Sequence, residues 1–354
     1  MNILVAIDGS SCSQSAIDAV LHQPWPAHTE MRLVSVLTGL ESIWPFFDRH
    51  AHFQVDQAAS GAEVGEAAEL ELGEAHNRTE EHLALVAAEI SALKPGIIVS
   101  AEVRRGEVAE EIVNSAVEWQ ANLIVVGSHG RKGISRMLLG SVSQTVLLTA
   151  PMPVIIVKKF ELDQRHEDGF SRILVALDGS NHSEAALHWI ARQTWSHRAQ
   201  FHLLHVYNHE SIEYIQDGEN QIKADGSAQR GSSLHALQAR AAGLSEVLGL
   251  GHERFSCEVR GGAPAATIVS TAEKIKADLI LMGSHGWHGL SRVLLGSVSQ
   301  QVAEKAPCSV GIVPLVGTDE EHQEHSEGTI EMPEESSRRY DSSERPHVLP
   351  GGMI

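Results

Sequence analysis

Apolar positions along this chain fall into short continuous runs, separated by stretches in which they recur at helical spacing. "ILVAID" (3–8) is a run of the kind expected of a strand covered on both faces. Ser10 or Ser11 then suits the cap of a helix whose inner face carries Ala16, Ile17 and Val20. "MRLVSVL" (31–37) reads as a second strand, and Leu83, Val86, Ala87 and Ile90 mark a helix over 76–93. "IIVSAEVR" (97–104) is a third strand, followed by a helix from Gly106 to Trp119 with Val108, Ile112 and Ala116 inward. "NLIVVGS" (122–128) is a fourth strand, Ser141 opens a short helix to Ala150, and "VIIVK" (154–158) closes the series. Strands alternating with helices imply parallel pairing through right-handed crossovers, hence a doubly wound α/β sheet of five strands.

The same series then repeats, with strands at 172–178, 199–207, 254–260, 278–284 and 309–314. "NILVAIDGS" (2–10) returns as "RILVALDGS" (172–180), with seven of nine positions identical. "GSHGRKGISRMLLGSVSQTV" (127–146) returns as "GSHGWHGLSRVLLGSVSQQV" (283–302), with fifteen of twenty identical. Up to Val36 the offset is 170 residues, and from Gly106 it is 156, so one difference of 14 residues separates the copies. The extra residues are expected within 39–66, where Trp44, Phe46, Phe47 and Phe53 gather, as a flap, a lid or a patch against the other half. The expected organisation is a first domain over 1–159, a polar linker over 160–170 and a second domain over 171–316. Residues 317–354 are rich in acids and nearly free of apolar side chains, which predicts a disordered tail.

Ligands of such sheets bind at the carboxyl ends of the strands where strand order reverses, which points to Asp8 and Gly127 and to their repeats Asp178 and Gly283. Gly127, Gly130 and Gly140 bracket a loop that runs into Ser141; the second copy keeps the spacing with Gly283, Gly286, Gly296 and Ser297. Such glycines are expected to take positive φ and let the backbone approach a ligand, while a helix start favours an anion. Asp8 and Asp178 also suit plain turns or caps, and His129 and His285 suit either phosphate contact or packing. Arg136 and Arg292 suit an anion or a surface ion pair.

The strand-end Asp-Gly-Ser, the pattern G-x2-G-x9-G-[ST] and this element order resemble the universal stress protein family in its tandem form. The resemblance implies a fold like the adenine nucleotide alpha hydrolases and a site for ATP, with Mg2+, in each copy. It implies ribose contact by the aspartate, adenine contact by a strand-2 valine and the backbone beside the aspartate, and phosphate contact by the glycine loop and its serine. Carried over, the first site is Ala6, Asp8, Val36, Val126, Gly127, His129, Gly130, Gly140, Ser141 and Val142. The second is Ala176, Asp178, Val206, Met282, Gly283, His285, Gly286, Gly296, Ser297 and Val298. The implied role is a nucleotide-dependent switch that engages a protein partner in stress response. Slow ATP hydrolysis, adenylyl transfer or a chaperone-like scaffold remain as alternatives. Single-domain relatives pair through their last strand, so "VIIVK" and "SVGIVP" are expected to form an intramolecular pseudo-dimer, with further homodimerisation open.

Charge and composition narrow the field. A net charge of −19 disfavours a nucleic-acid partner. Three cysteines without a CxxC pair, no basic leader and no long apolar run point to a reducing cytoplasm and no membrane. Twenty-one histidines show no HExxH spacing, "HQEH" (322–325) lies in the tail, and Cys12 reads as an inert small residue. The loops differ at Arg131-Lys132 against Trp287-His288, which predicts tighter triphosphate binding in the first copy.

Overall fold

The computed structural model describes residues 1–38, 61–130, 139–158, 169–207, 226–286 and 295–315, with side chains from 69 and from 230 in the two longest helices. The first half runs β1 (Asn2–Ala6), α1 (Ser11–His22), β2 (Glu30–Leu37), α2 (Gly61–Leu93), β3 (Ile98–Arg105), α3 (Val108–Glu118), β4 (Leu123–Gly127), α4 (Ser141–Thr149) and β5 (Val154–Val157). The second runs β6 (Arg172–Ala176), α5 (Asn181–Ala191), β7 (Gln200–Tyr207), α6 (Gly226–Leu248), β8 (Phe255–Gly261), α7 (Pro264–Ile275), β9 (Leu279–Gly283), α8 (Ser297–Lys305) and β10 (Ser309–Val313).

All ten strands lie in one sheet, in the order β3-β2-β1-β4-β5-β10-β9-β6-β7-β8. Pairing is parallel within each half, and β1 lies beside β4 as β6 lies beside β9. At the centre β5 and β10 pair antiparallel, with Ile156 opposite Val310 and Ile155 opposite Gly311. The joint is therefore the pairing of "VIIVK" with "SVGIVP". A Cβ on Gly311 would come within 2.4 Å of the Leu281 side chain, so its absence lets neighbouring strands fit side by side.

Strand side chains alternate between two cores, one on each face of the sheet. Ile3, Val5 and Ile7 join α1 and α5 residues such as Ile17 and Ile190 on one face. Leu4 and Ala6 join Ile112, Val146 and Val302 on the other. Both cores run unbroken across the joint. Each fully buried Val, Leu or Ile contributes about 1.5–3 kcal/mol relative to exposure, so the halves form one body. Gln23, buried at the end of α1, bridges them further: its amide donates to Thr194 O at 3.0 Å and its oxygen accepts from Phe170 N at 3.2 Å.

Two expectations change in detail. The helix foreseen from 76 begins at Gly61, so α2 has 33 residues against 23 in α6, ten more. Most of the length difference is thus extra helix at the N-terminal end of α2. The helix foreseen from Gly106 begins at Val108, because Gly106 has φ +143° and makes the turn instead. The aromatic stretch 39–60, the linker 159–168 and the tail from 316 lie outside the described residues.

Candidate functional site

In both halves the first strand ends in an Asp-Gly-Ser turn. Gly9 and Gly179 take φ of +76° and +81°, which a side chain disfavours. Asp8 Oδ1 accepts from Ser10 N at 2.9 Å, and Asp178 Oδ1 accepts from Ser180 N at 3.0 Å. Ser10 and Ser180 then cap α1 and α5 by accepting from Ser13 N and Ser183 N. The aspartates are therefore turn formers with one oxygen and face the glycine loop with the other. A Cβ on Gly130 would lie 3.0 Å from Asp8 Oδ2, and one on Gly286 would lie 2.6 Å from Asp178 Oδ2.

The motif glycines do not take positive φ, contrary to expectation; Gly140 and Gly296 have φ of −65° and −63°. Their reason is close approach. A Cβ on Gly127 would meet the Cys12 backbone at 2.6 Å, and one on Gly283 the His182 backbone at 2.5 Å, so the first glycine lets the strand end touch the first turn of a helix. A Cβ on Gly140 would lie 3.4 Å from Ser128 O, and one on Gly296 3.1 Å from Ser284 O, so both glycines sit close to the backbone of the loop's first residues.

The base of each loop is pinched shut. Gly140 N donates to Ser128 O and Gly296 N to Ser284 O, both at 2.8 Å. Ser143 Oγ donates to Gly127 O at 2.7 Å, and Ser299 Oγ to Gly283 O at 2.9 Å. The helices that follow, α4 and α8, have glycine N-caps and no side-chain cap. Their first N–H groups thus lack the serine that closes α1 and α5.

In the second half these pieces enclose a cavity of about 380 Å³. All ten second-copy residues named from the sequence line it, from Ala176 and Asp178 through Val206 and Met282 to Ser297 and Val298. Leu177, Ser183, Leu204, Pro264, Ile268 and Ser299 line it as well and were missed. Ser183 and Ser299 were legible as residues repeated in both copies, at Ser13 and Ser143; Pro264 and Ile268 belong to α7 and carry no motif. In the first half Ala6, Val34 and Val126 share one core, with Val36 and Val142 packed on it, so that site has the same framework. Residues 131–138 and 287–294, with Arg131, Lys132, Arg136, Trp287, His288 and Arg292, lie outside the described residues.

The electrostatics are mild. Burial holds the imidazoles of His129 and His285 below the usual histidine range, helped by Lys158 in the first case and His182 in the second. His129 Nδ1 and His285 Nδ1 each lie 3.1 Å from the preceding serine Oγ. Among the described lining residues of the cavity the ionisable groups are Asp178 and His285.

Fold and site together define a tandem α/β protein whose halves repeat one turn, glycine loop and helix start at the ends of their first and fourth strands, with a cavity at this place in the second half. The family model "Universal stress protein family" matches residues 1–158 and 169–314, and the chain belongs to that family. It is 27% identical over 316 residues to a universal stress protein of Mycolicibacterium smegmatis, covering 88% of this chain and 96% of that one. A universal stress protein of Bacillus subtilis, YxiE, is 33% identical over 166 residues, 44% of this chain and 97% of its own. The crystal structure of a universal stress protein from Archaeoglobus fulgidus shares the fold, with a TM-score of 0.57, 22% identity, and coverage of 89% of this chain and 98% of that one. Among the described residues no helix is long and apolar enough to cross a membrane.

Proposed function

We propose that the chain is a stress-response regulator that binds ATP at the cleft of each half and changes its partner contacts with occupancy. The observation that carries this reading is the second-half cavity, lined by residues from two motifs about 100 positions apart. Its 380 Å³ falls in the range of about 300–1,000 Å³ typical of small-molecule sites. Its two ends differ in chemistry as a nucleotide requires. Leu204, Val206, Ile268 and Met282 offer an apolar wall for a base, and Asp178 offers a carboxylate for ribose hydroxyls. Ser297 and the uncapped start of α8 offer donors for phosphates. Mg2+ suits the oxygen donors Asp178 and Ser297; on this reading it adds charge neutralisation of the triphosphate.

The reading is tested by calorimetric titration of ATP into the full chain and into a Gly130→Val/Gly286→Val variant. The added Cβ atoms meet a carboxylate oxygen rather than backbone, so the sheet is retained while loop and aspartate are displaced from each other. ATP affinity is expected to fall at least tenfold with an unchanged circular dichroism spectrum. Equal affinities in a folded variant would overturn the assignment.

A further inference from the structure

We propose that the outer edge of β3 is a dimerisation surface, where two copies of this chain pair their β3 strands antiparallel in the register centred on Ala101. This is independent of the nucleotide reading above.

β3 and β8 end the sheet, and among the described residues no strand lies beyond either. An edge strand keeps a row of backbone donors and acceptors on its outer side, which proteins commonly blunt with proline, lysine or a bulge. β3 has none of these: its register with β2 runs unbroken from Ile98 to Arg105, and its sequence holds no proline or lysine. Gly106 N donates to Leu37 O of β2, and backbone groups along a strand alternate in direction. The backbone of Ser100, Glu102 and Arg104 therefore faces β2, and that of Val99, Ala101 and Val103 faces outward.

A two-fold axis through Ala101, normal to the sheet, turns this edge onto itself and keeps each helix layer on its own side. Ala101 then meets Ala101 of the second copy, and Val99 meets Val103. These are the outward-facing residues, so each pair exchanges both of its backbone hydrogen bonds. Their side chains lie on the α2 face, where Val99 and Val103 pack on the core, and the pairs there are wholly apolar. On the α3 face Ser100 meets Glu102, a hydroxyl donor opposite a carboxylate. Ile98, 68% exposed, meets Arg104, whose stem covers it while Glu102, Glu111 and Glu118 hold the guanidinium. Moving the centre one residue on, to Glu102, would set that carboxylate against itself.

The other edge lacks this fit. Arg254, in the 3-10 turn before β8, stands at the place of Ile98, and Arg260 at that of Arg104. The equivalent register, centred on Cys257, would oppose two arginines. Exposed apolar side chains follow the same division. On α2, which lies over β3, Leu70, Leu85 and Leu93 are 61–71% exposed; on α6, over β8, Val247 alone is their equal among the described residues.

The test is sedimentation of the full chain across a dilution series, with and without ATP. A monomer–dimer equilibrium is expected in both conditions. Ala101→Pro removes an N–H that bonds nothing within one copy, so the strand is retained, and self-association should weaken at least tenfold. Ile98→Arg, which copies the second half, should do the same by facing Arg104, with an unchanged circular dichroism spectrum. Ala101→Cys should be trapped by mild oxidation as a covalent dimer joined through position 101, because directly paired residues stand about 5.5 Å apart at Cα. A chain that stays monomeric at every concentration overturns the proposal, as does a dimer indifferent to both Ala101→Pro and Ile98→Arg. A disulfide through the native Cys257 assigns the dimer to the other edge, and open-ended oligomers mean that β3 pairs with β8; either result also overturns it.

Discussion

The two halves share a backbone more closely than they share side-chain chemistry. At the joint, the first half reaches across and the second does not reciprocate. Gln23 bonds to Phe170 and Thr194, whereas its repeat Gln193 has a buried amide oxygen without a hydrogen-bond partner among the described residues. Lys158, just past β5, donates to Glu304 O at 2.9 Å and Ala306 O at 2.7 Å, closing the end of α8; its repeat is Pro314, which has no such donor. On the outer strands, Arg32 bonds to Glu102 at 3.3 Å and lies 4.5 Å over the Trp119 ring, where the second half has His202, Glu258 and Ile275. The close contacts of the motif glycines, by contrast, recur in both halves within a few tenths of an ångström. Duplication has preserved the shape of the cleft base and let its surroundings diverge.

The sharpest way to break that claim of shared shape is to fill the first glycine of each loop. A Cβ on Gly127 or Gly283 would press on helix backbone at 2.6 or 2.5 Å, which cannot swing aside. Gly127→Val and Gly283→Val are each expected to destabilise by about 3 kcal/mol or more, above the usual range for overpacking. Urea denaturation of each variant measures this. A loss in one half only would show that the two cleft bases are not held alike.

A smaller effect tests the one-sided joint. Lys158→Met removes both donors from the end of α8, with an expected loss of about 1 kcal/mol at neutral pH. Burial pushes the Lys158 amine down to about 8 from the usual 10.5, against the pull of Cys308 and Glu304. Its folded value is the lower one, so the unfolded chain binds the extra proton between pH 8 and 10.5. The stability contributed by Lys158 therefore rises with pH across that window and is flat below it. The gap between wild type and Lys158→Met should widen from pH 8 to pH 10. A constant gap would mean that the amine is solvated and the latch weak.

How far the sequence discloses such features depends on whether they leave a repeat. The strands were legible because both faces of the sheet are covered, which forces runs such as "ILVAI" and "NLIVV". The ten cavity residues of the second half were legible because two copies fixed the spacing and a family pattern supplied the roles. The glycines were found, but without the positive φ expected of them: the first two of each loop sit in close contact with residues 101 to 122 positions earlier, which spacing does not reveal. Pro264 and Ile268 were missed because a helix crossing over the cleft contributes ordinary core side chains. The early start of α2 was missed because residues 61–75 lack a clear apolar period. Lys158 was quoted only as the end of a strand; that it reaches the other half depends on antiparallel β5–β10 pairing.

The smallest effect concerns the outer strands, where an arginine faces a histidine across the pseudo-symmetry. His202 Nδ1 lies 2.8 Å from Ser256 Oγ, and its Nε2 lies 3.1 Å from Glu258 Oε2. Glu258 is shared with Arg260 at 2.7 Å, and Lys274 adds a further positive charge nearby. Burial holds His202 below the usual 6.5, outweighing the upward pull of Glu258 and joined by repulsion from Arg260 and Lys274. The folded state thus binds its proton less readily than the unfolded chain, and this group's contribution to stability declines as pH falls below 6.5. Arg32, at the same place in the first half, carries its charge throughout this range and gives no such slope. His202→Arg should therefore flatten the acid limb of the stability profile, by less than about 1 kcal/mol between pH 7 and 5. Arg32→His should add a slope of the same sign from the first half. Urea titrations at pH 7, 6 and 5 compare the three proteins, and parallel profiles would show that His202 titrates alike folded and unfolded.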